Sequence, residues 1–182
     1  YPHIHFDVYL TENTVDLMDA QFDLALRITQ KVADGLIARP VCDIESIFCA
    51  HPHYLQDHTP LSHPSQLIQH ECIAHHTHNQ YWTLFDTDQQ PQNYPLNVTF
   101  KSNDVIALYQ MCLKAEGIAM LPTLLVRQDI AQQRLQQVFT DFSAPDLTLS
   151  LVYASRQHLP KITQEFIAFV IENLNFYLNQ QN

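Results

Sequence analysis

Eleven histidines occur in this chain, and His70, Cys72, His75, His76 and His78 fall within nine residues, with Glu71 among them. Imidazole, thiolate and carboxylate groups are the ordinary ligands of zinc, and His75 and His78 would share one face if their segment were helical. The spacing is not HExxH, because one extra residue separates His70-Glu71 from His75, so a zinc-protease site is not implied. No second cluster completes a four-ligand set, and a polar rim on a surface strand and loop explains the same residues. The expectation is no resident metal, with His70, His75 and His78 as the set a metal sensor would use.

The second candidate is Phe100-Lys101-Ser102-Asn103-Asp104-Val105, where a strand gives way to a helical run ending near Ala115. A hydroxyl at Ser102 can cap that helix. The first free N–H groups and the positive end of the helix dipole would then favour a carboxylate-bearing small molecule. Plain capping alone explains such a serine more often than not. The run stops at Glu116-Gly117-Ile118, where one of only two glycines precedes a short apolar strand closed by Pro122.

Several chemistries are excluded or unsupported. No GxSxG elbow, phosphate loop or dinucleotide fingerprint occurs, so the chain is read as non-enzymatic and without a cofactor. Nine Lys and Arg against nineteen Asp and Glu give a net charge of −10, which is the wrong sign for neutralising nucleic-acid phosphates. No stretch approaches the roughly 20 apolar residues of a membrane span. Cys42, Cys49, Cys72 and Cys112 lack CxxC spacing and sit mostly in apolar runs, as reduced buried thiols do. A cytoplasmic location is expected.

The elements that must position these residues alternate between strand and helix. Ile4, Phe6, Val8 and Leu10 read as a half-buried strand, and Asn13 or Thr14 as the cap of a short helix through Ala20. Phe22 to Ile28 reads as a doubly covered parallel strand and Val41 to Ala50 as one further strand. Short helices follow Pro52 and Pro64, a strand lies around Cys72 to Ala74, a polar loop runs through Asn93, and Leu96 to Phe100 is a strand. Leu147 to Ala154 is another. After Pro160, Ile162, Phe166, Phe169, Val170, Leu174 and Tyr177 follow helical spacing. A first lobe, 1–40 with 146–182, would then carry a second, 41–145, inserted between two crossings near Arg39-Pro40 and Ala144-Pro145-Asp146.

Phe22-Asp23-Leu24-Ala25-Leu26-Arg27-Ile28, then Gly35-Leu36-Ile37-Ala38-Arg39, Cys49-Ala50-His51-Pro52-His53-Tyr54-Leu55, the Gly117 loop and Ser155-Arg156-Gln157-His158-Leu159-Pro160-Lys161 occur in an order that resembles the regulatory domain of LysR-type transcriptional regulators. The resemblance runs from Asp7 to about Leu174. It implies an α/β fold of two Rossmann-like lobes joined by two crossover strands, like type 2 periplasmic binding proteins, with an effector in the cleft between them. By motif position, Ser102 and Asn103 would contact the effector from the second lobe and Thr29 from the first, with Gly117 and Ile118 lining the wall.

Family members carry a winged helix-turn-helix and a first strand and helix ahead of the point where this sequence starts, so DNA would be met only through that absent part. The resemblance also implies a homodimer, possible as a tetramer when full-length, with Ile4 to Leu10 at its edge. The rival readings are a metal sensor on the histidine cluster and the solute-binding protein of a transporter.

Overall fold

The computed structural model describes residues 3–11, 15–17, 19–28, 33–78, 80–154 and 159–179. The chain divides into two compact units, Tyr1–Val41 with Ser150–Asn182, and Cys42–Leu149.

In the first unit, β1 (Ala25–Ile28), β2 (Leu36–Ile44) and β10 (Leu147–Ala154) form a sheet in the order β1-β10-β2. β10 runs where the apolar spacing predicts it. The helix α4 (Lys161–Asn179) covers the sheet through Ile167, Val170, Ile171 and Leu174, which pack with Val41, Leu151 and Tyr153. The buried stripe thus passes through Ile167, whereas Ile162 and Phe169 are about half exposed. At 3.6 residues per turn a stripe can hold only part of an apolar run, and it is contact with the sheet that selects the part.

Three expectations for this unit fail. Residues 4–10 belong to no strand, leaving Phe6, Val8, Tyr9 and Leu10 exposed. Alternation makes a segment competent for a ladder, yet a strand exists only where a neighbour takes its N–H and C=O groups. β1 begins three residues after Phe22 and is covered on one face only, with Leu26 and Ile28 51% and 54% exposed. Residues 15–17 and 19–20 form turns or irregular chain rather than helix, and the cap expected at Asn13 or Thr14 lies outside the described residues.

The second unit is built on β3 (Ser46–Ala50), β4 (Glu71–His75), β7 (Asn97–Ser102), β8 (Ile118–Pro122) and β9 (Gln136–Val138), in the order β7-β4-β8-β3-β9. β4 is parallel to β7 and β8, while β3 is antiparallel to β8 and β9. Period-two alternation divides each central strand between two cores. Phe48, Ala50, Cys72, Ala74 and Ile118 enter one, with Tyr54 of α1 (Pro52–Asp57) and Leu67 of a 3-10 helix (Pro64–Gln69). Cys49, Ile73, Ala119 and Leu121 enter the other, with Leu108 and Cys112 of α2 (Val105–Leu113) and Val126 of α3 (Thr123–Ala131). Coverage on both faces explains why these strands read as continuous apolar runs.

The run Val41 to Ala50 is two strands, not one: it breaks after Ile44, so that β2 serves the three-stranded sheet and β3 the five-stranded one. The polar loop expected through Asn93 is a hairpin of β5 (Tyr81–Phe85) and β6 (Pro91–Pro95). Its turn is held by Asp86 Oδ1, which accepts N–H bonds from Asp88 and Gln90 at 2.9 Å each. β6 reads as a loop because it buries only Tyr94 and carries proline at both ends, as an edge strand can.

Candidate functional site

The parallel strands β4 and β7 end together at His75 and Ser102, and His76 N–H donates to Ser102 O at 2.9 Å. Ser102 does not cap α2. Its Oγ accepts the N–H of Asp104 at 3.0 Å, and Asp104 Oδ1 accepts the N–H of Ile106 at 2.8 Å as the true N-cap. Aspartate is among the best N-cap residues, and its carboxylate occupies the positive helix end where an exogenous anion was expected. The Ser102 hydroxyl proton is left for another acceptor, and Asn103 is exposed beside it.

Beyond β4 the chain turns sharply, with His78 N–H donating to His75 O at 2.9 Å and His75 Nδ1 2.8 Å from Thr77 Oγ1. This turn feeds the β5-β6 hairpin. Phe85 exchanges two 2.9 Å backbone bonds with Ser143, which brings the segment bearing Pro145 alongside. A cavity of about 290 Å³ results, lined by Thr77, His78, Tyr81, Trp82, Thr83, Met120 and Pro145. No Asp, Glu, Lys or Arg lines it. Burial first, then His75 and Lys101, push the His78 pKa below its usual value, which favours a neutral ring. His78 Nδ1 and Trp82 Nε1 are buried with no hydrogen-bond partner.

A larger cavity of about 410 Å³ runs along the edge strand β9, among Leu55, Leu61, Phe139 and Phe142. None of the unpartnered buried polar atoms among the described residues belongs to its lining. The smaller cavity is the better candidate because native proteins rarely leave buried donors unpaired.

Gly117 and Ile118 do not join Ser102 and Asn103. Cys72 lies opposite Ile118, so Gly117 flanks Glu71 at the start of β4, about 13 Å by strand rise from the end that bears Ser102. Ile118 is fully buried, and Met120, two residues on, supplies the β8 side chain in the cavity. Thr29 lies outside the described residues.

The histidines come together only in part: the His75 ring lies 4.6 Å from that of His76 and 6.2 Å from that of His78, centroid to centroid, while His70 is apart. His75 ends a strand and His78 follows a turn, so no helix face unites them, and His70 sits at the other end of β4. Among the described residues, no group of three or more His, Cys, Asp or Glu side chains could hold a metal ion. Cys49, Cys72 and Cys112 are buried, and burial pushes the Cys72 thiol up to about 12.

His70 serves a structural network. Tyr54 O–H donates to Glu71 Oε2 at 2.6 Å and accepts Glu71 N–H at 2.9 Å, so the 3.2 Å contact to His70 Nδ1 requires that nitrogen to donate. In the neutral ring His70 Nε2 then accepts from Thr59 Oγ1 at 3.3 Å. Burial first and His58 second lower the His70 pKa, against an opposing pull from Glu71. With the folded value below the unfolded one, this contribution is complete above about pH 6.5 and is lost as pH falls through that range. Urea midpoints of the wild type should therefore drop from pH 7.5 to pH 5.5 by more than those of His70→Gln. Equal drops would remove His70 as the cause.

Residues 1–175 match the LysR substrate binding domain family. The HTH-type transcriptional regulator PtxR of Pseudomonas aeruginosa is 27% identical over 175 residues, which cover 96% of this chain and 56% of PtxR. CrgA of Neisseria meningitidis serogroup C is 28% identical over 176 residues, covering 96% and 58%. The solved CrgA regulatory domain aligns with a TM-score of 0.80 at 29% identity over 96% of this chain and 86% of that one. Full-length AphB of Vibrio cholerae aligns with a TM-score of 0.83 at 25% identity over 95% of this chain and 59% of that one. The chain thus spans a little over half the length of these curated relatives. No helix among the described residues is long and apolar enough to cross a membrane. The sequence match over nearly the whole chain and the shared α/β fold, of the periplasmic-binding-protein-like type 2 class, agree: this chain belongs to the LysR substrate-binding domain family.

Proposed function

We propose that this chain senses a small-molecule effector for a LysR-type transcriptional regulator, with Ser102 and Asn103 and the neighbouring cavity forming its side of the effector site. The observation that carries this is the juxtaposition at the C-terminal ends of β4 and β7. A free hydroxyl proton at Ser102 and an exposed amide at Asn103 stand one hydrogen bond away from a turn that leads into a cavity with unpaired buried nitrogens. Strand ends of this kind are where α/β sheets hold ligands. Thr29 is proposed as a contact from the first unit on motif position alone.

The effector acts through a difference in affinity between two states of the regulator, and DNA is engaged by a part of the protein outside this chain. Full reversal of a 1:99 population needs about 5.5 kcal/mol of differential binding, so a small ligand retunes the population rather than locking it. A cytoplasmic homodimer is the proposed setting, by analogy with relatives described as transcriptional regulators.

Thermal unfolding of this chain against small carboxylates, aromatic acids, amides and amino acids tests the reading. Ligand at about 100 times Kd adds roughly 2.7 kcal/mol, a rise of about 5–10 °C for a domain of this size. Ser102→Ala combined with Asn103→Ala should abolish that rise without lowering the ligand-free midpoint by more than about 1–2 °C. A rise that survives the double substitution would move the site elsewhere.

A further inference from the structure

Among the described residues β9 pairs with β3 alone, so it is an edge of the five-stranded sheet and turns the backbone groups of its free side outward. The cavity of about 410 Å³ lies along that edge. Seven consecutive residues, Gln136 to Phe142, form one wall, and Leu55, Leu61 and Ser62 supply the rest. The first wall is set by a backbone that few side chains tolerate. Phe139 has φ +56°, in the left-handed region that a bulky residue rarely enters, and Phe142 N–H donates to Phe139 O at 2.9 Å to close the turn that follows. Such a conformation persists only where the surroundings hold it, and Phe139 is buried with its ring centroid 6.1 Å from that of Phe48. Phe142 stands edge-on to His63 and Tyr94, with centroids 5.4 and 6.2 Å away. Two aromatic rings of the lining are therefore positioned by packing before any ligand arrives.

The charge of the lining has one sign. Asp141, between the two phenylalanines in sequence, is an exposed carboxylate, and no Lys, Arg or His lines the cavity with it. We propose that this cavity is a second ligand site and that it takes a small organic cation, an ammonium group carried on an apolar body. β9 and β7 are opposite edges of the sheet, four strand spacings or about 19 Å apart, so the site is distinct from the one at Ser102 and Asn103. Asp141 supplies the counter-charge, the rings of Phe139 and Phe142 attract a cation through their π-systems, and outward carbonyl groups of β9 accept ammonium N–H bonds. Leu55 and Leu61 offer aliphatic contact to the apolar body. An anion of the same shape would meet Asp141 and a chain of net charge −10 with no cation in the lining. A cavity of about 150 Å³ already holds a benzene ring, so this one has room for a ring and a short amine chain.

Three probes of one shape and different charge test this: 2-phenylethylamine, 2-phenylethanol and phenylacetate, each titrated into the 15N-labelled chain at low salt. The amine should shift the backbone amides of Gln136 to Phe142 in one saturable transition. The alcohol should act at the same amides at least about threefold more weakly, and phenylacetate should give no saturable shift there. Asp141→Asn keeps the shape of an exposed side chain and removes its charge, so it should weaken the amine by about threefold, within the range of an exposed ion pair, and leave the alcohol unchanged. Added salt should weaken the amine and spare the alcohol. Phenylacetate binding at these amides as tightly as the amine would overturn the proposal. So would an amine affinity that Asp141→Asn leaves intact, or the absence of any saturable amine shift between Gln136 and Phe142. The comparison of the three probes needs no variant, so it stands whatever a substitution does to folding.

Discussion

Gly117→Ala should destabilise the second unit by about 3 kcal/mol or more, the combined cost of a Gly-only backbone region and of overpacking. Gly117 has φ +148°, and a Cβ built on it would lie 2.5 Å from the carbonyl oxygen of Glu71 and 3.0 Å from its carbonyl carbon. The obstacle is backbone of the adjoining strand, which cannot swing aside as a side chain would. Relief would require β8 to move from β4 just where Cys72 pairs with Ile118. Gly35→Ala is the matched control. Gly35 has φ +84° but nothing within 4 Å of its would-be Cβ, so that change should cost only about 1 kcal/mol of local strain. Urea denaturation of both variants decides the matter, and coincident midpoints would refute the clash.

Arg134→Ala should cost about 3 kcal/mol, the low end for stranding one member of a buried ion pair, because the arginine is itself half exposed. The Asp129 side chain is 3% exposed against 54% for Arg134, and Arg134 Nε donates to Asp129 Oδ1 at 2.6 Å. Tyr109 O–H donates to Oδ2 at 2.7 Å, and its pKa is raised by that bond first. The Asp129 carbonyl also accepts N–H bonds from Arg134 at 2.8 Å and Leu135 at 3.2 Å, so one residue ties α2, the end of α3 and the approach to β9. Removing the guanidinium leaves a buried carboxylate near a helix C-terminus, the unfavourable end for a negative charge. The double variant Arg134→Ala with Asp129→Asn should recover part of the loss, since the stranded charge is gone. If the double variant is as unstable as the sum of its parts, the pair is not the source.

These interactions mark where sequence reading stops. Asp129 and Arg134 are five residues apart in a polar stretch and look like an exposed pair. Only the packing of α2 against β8 and of α3 against the same strand makes the carboxylate a buried one. Trp82 was unassigned for a similar reason: a lone tryptophan in Tyr81-Trp82-Thr83-Leu84-Phe85 is ordinary core material until its nitrogen is known to lack an acceptor. The hairpin it belongs to was missed because β6 buries a single side chain, too few for a period to register.

Residue types along the chain were enough for the family and for local grammar: β10 and the start of α4, the helices opened by Pro52 and Pro64, and a strand from Leu96 to Phe100, which in the structure runs from Asn97 on to Ser102. Periodicity, proline and capping preferences act within a few residues, so they are legible along the chain. Tertiary structure alone decided that Ser102 and Gly117 stand at opposite ends of β4, that His70 belongs to a Tyr54 network and not with His75 and His78, and that residues 4–10 form no ladder among the described residues. Strand order and register are relations between distant segments, and the free energy that selects them comes from burial and backbone pairing across the whole unit.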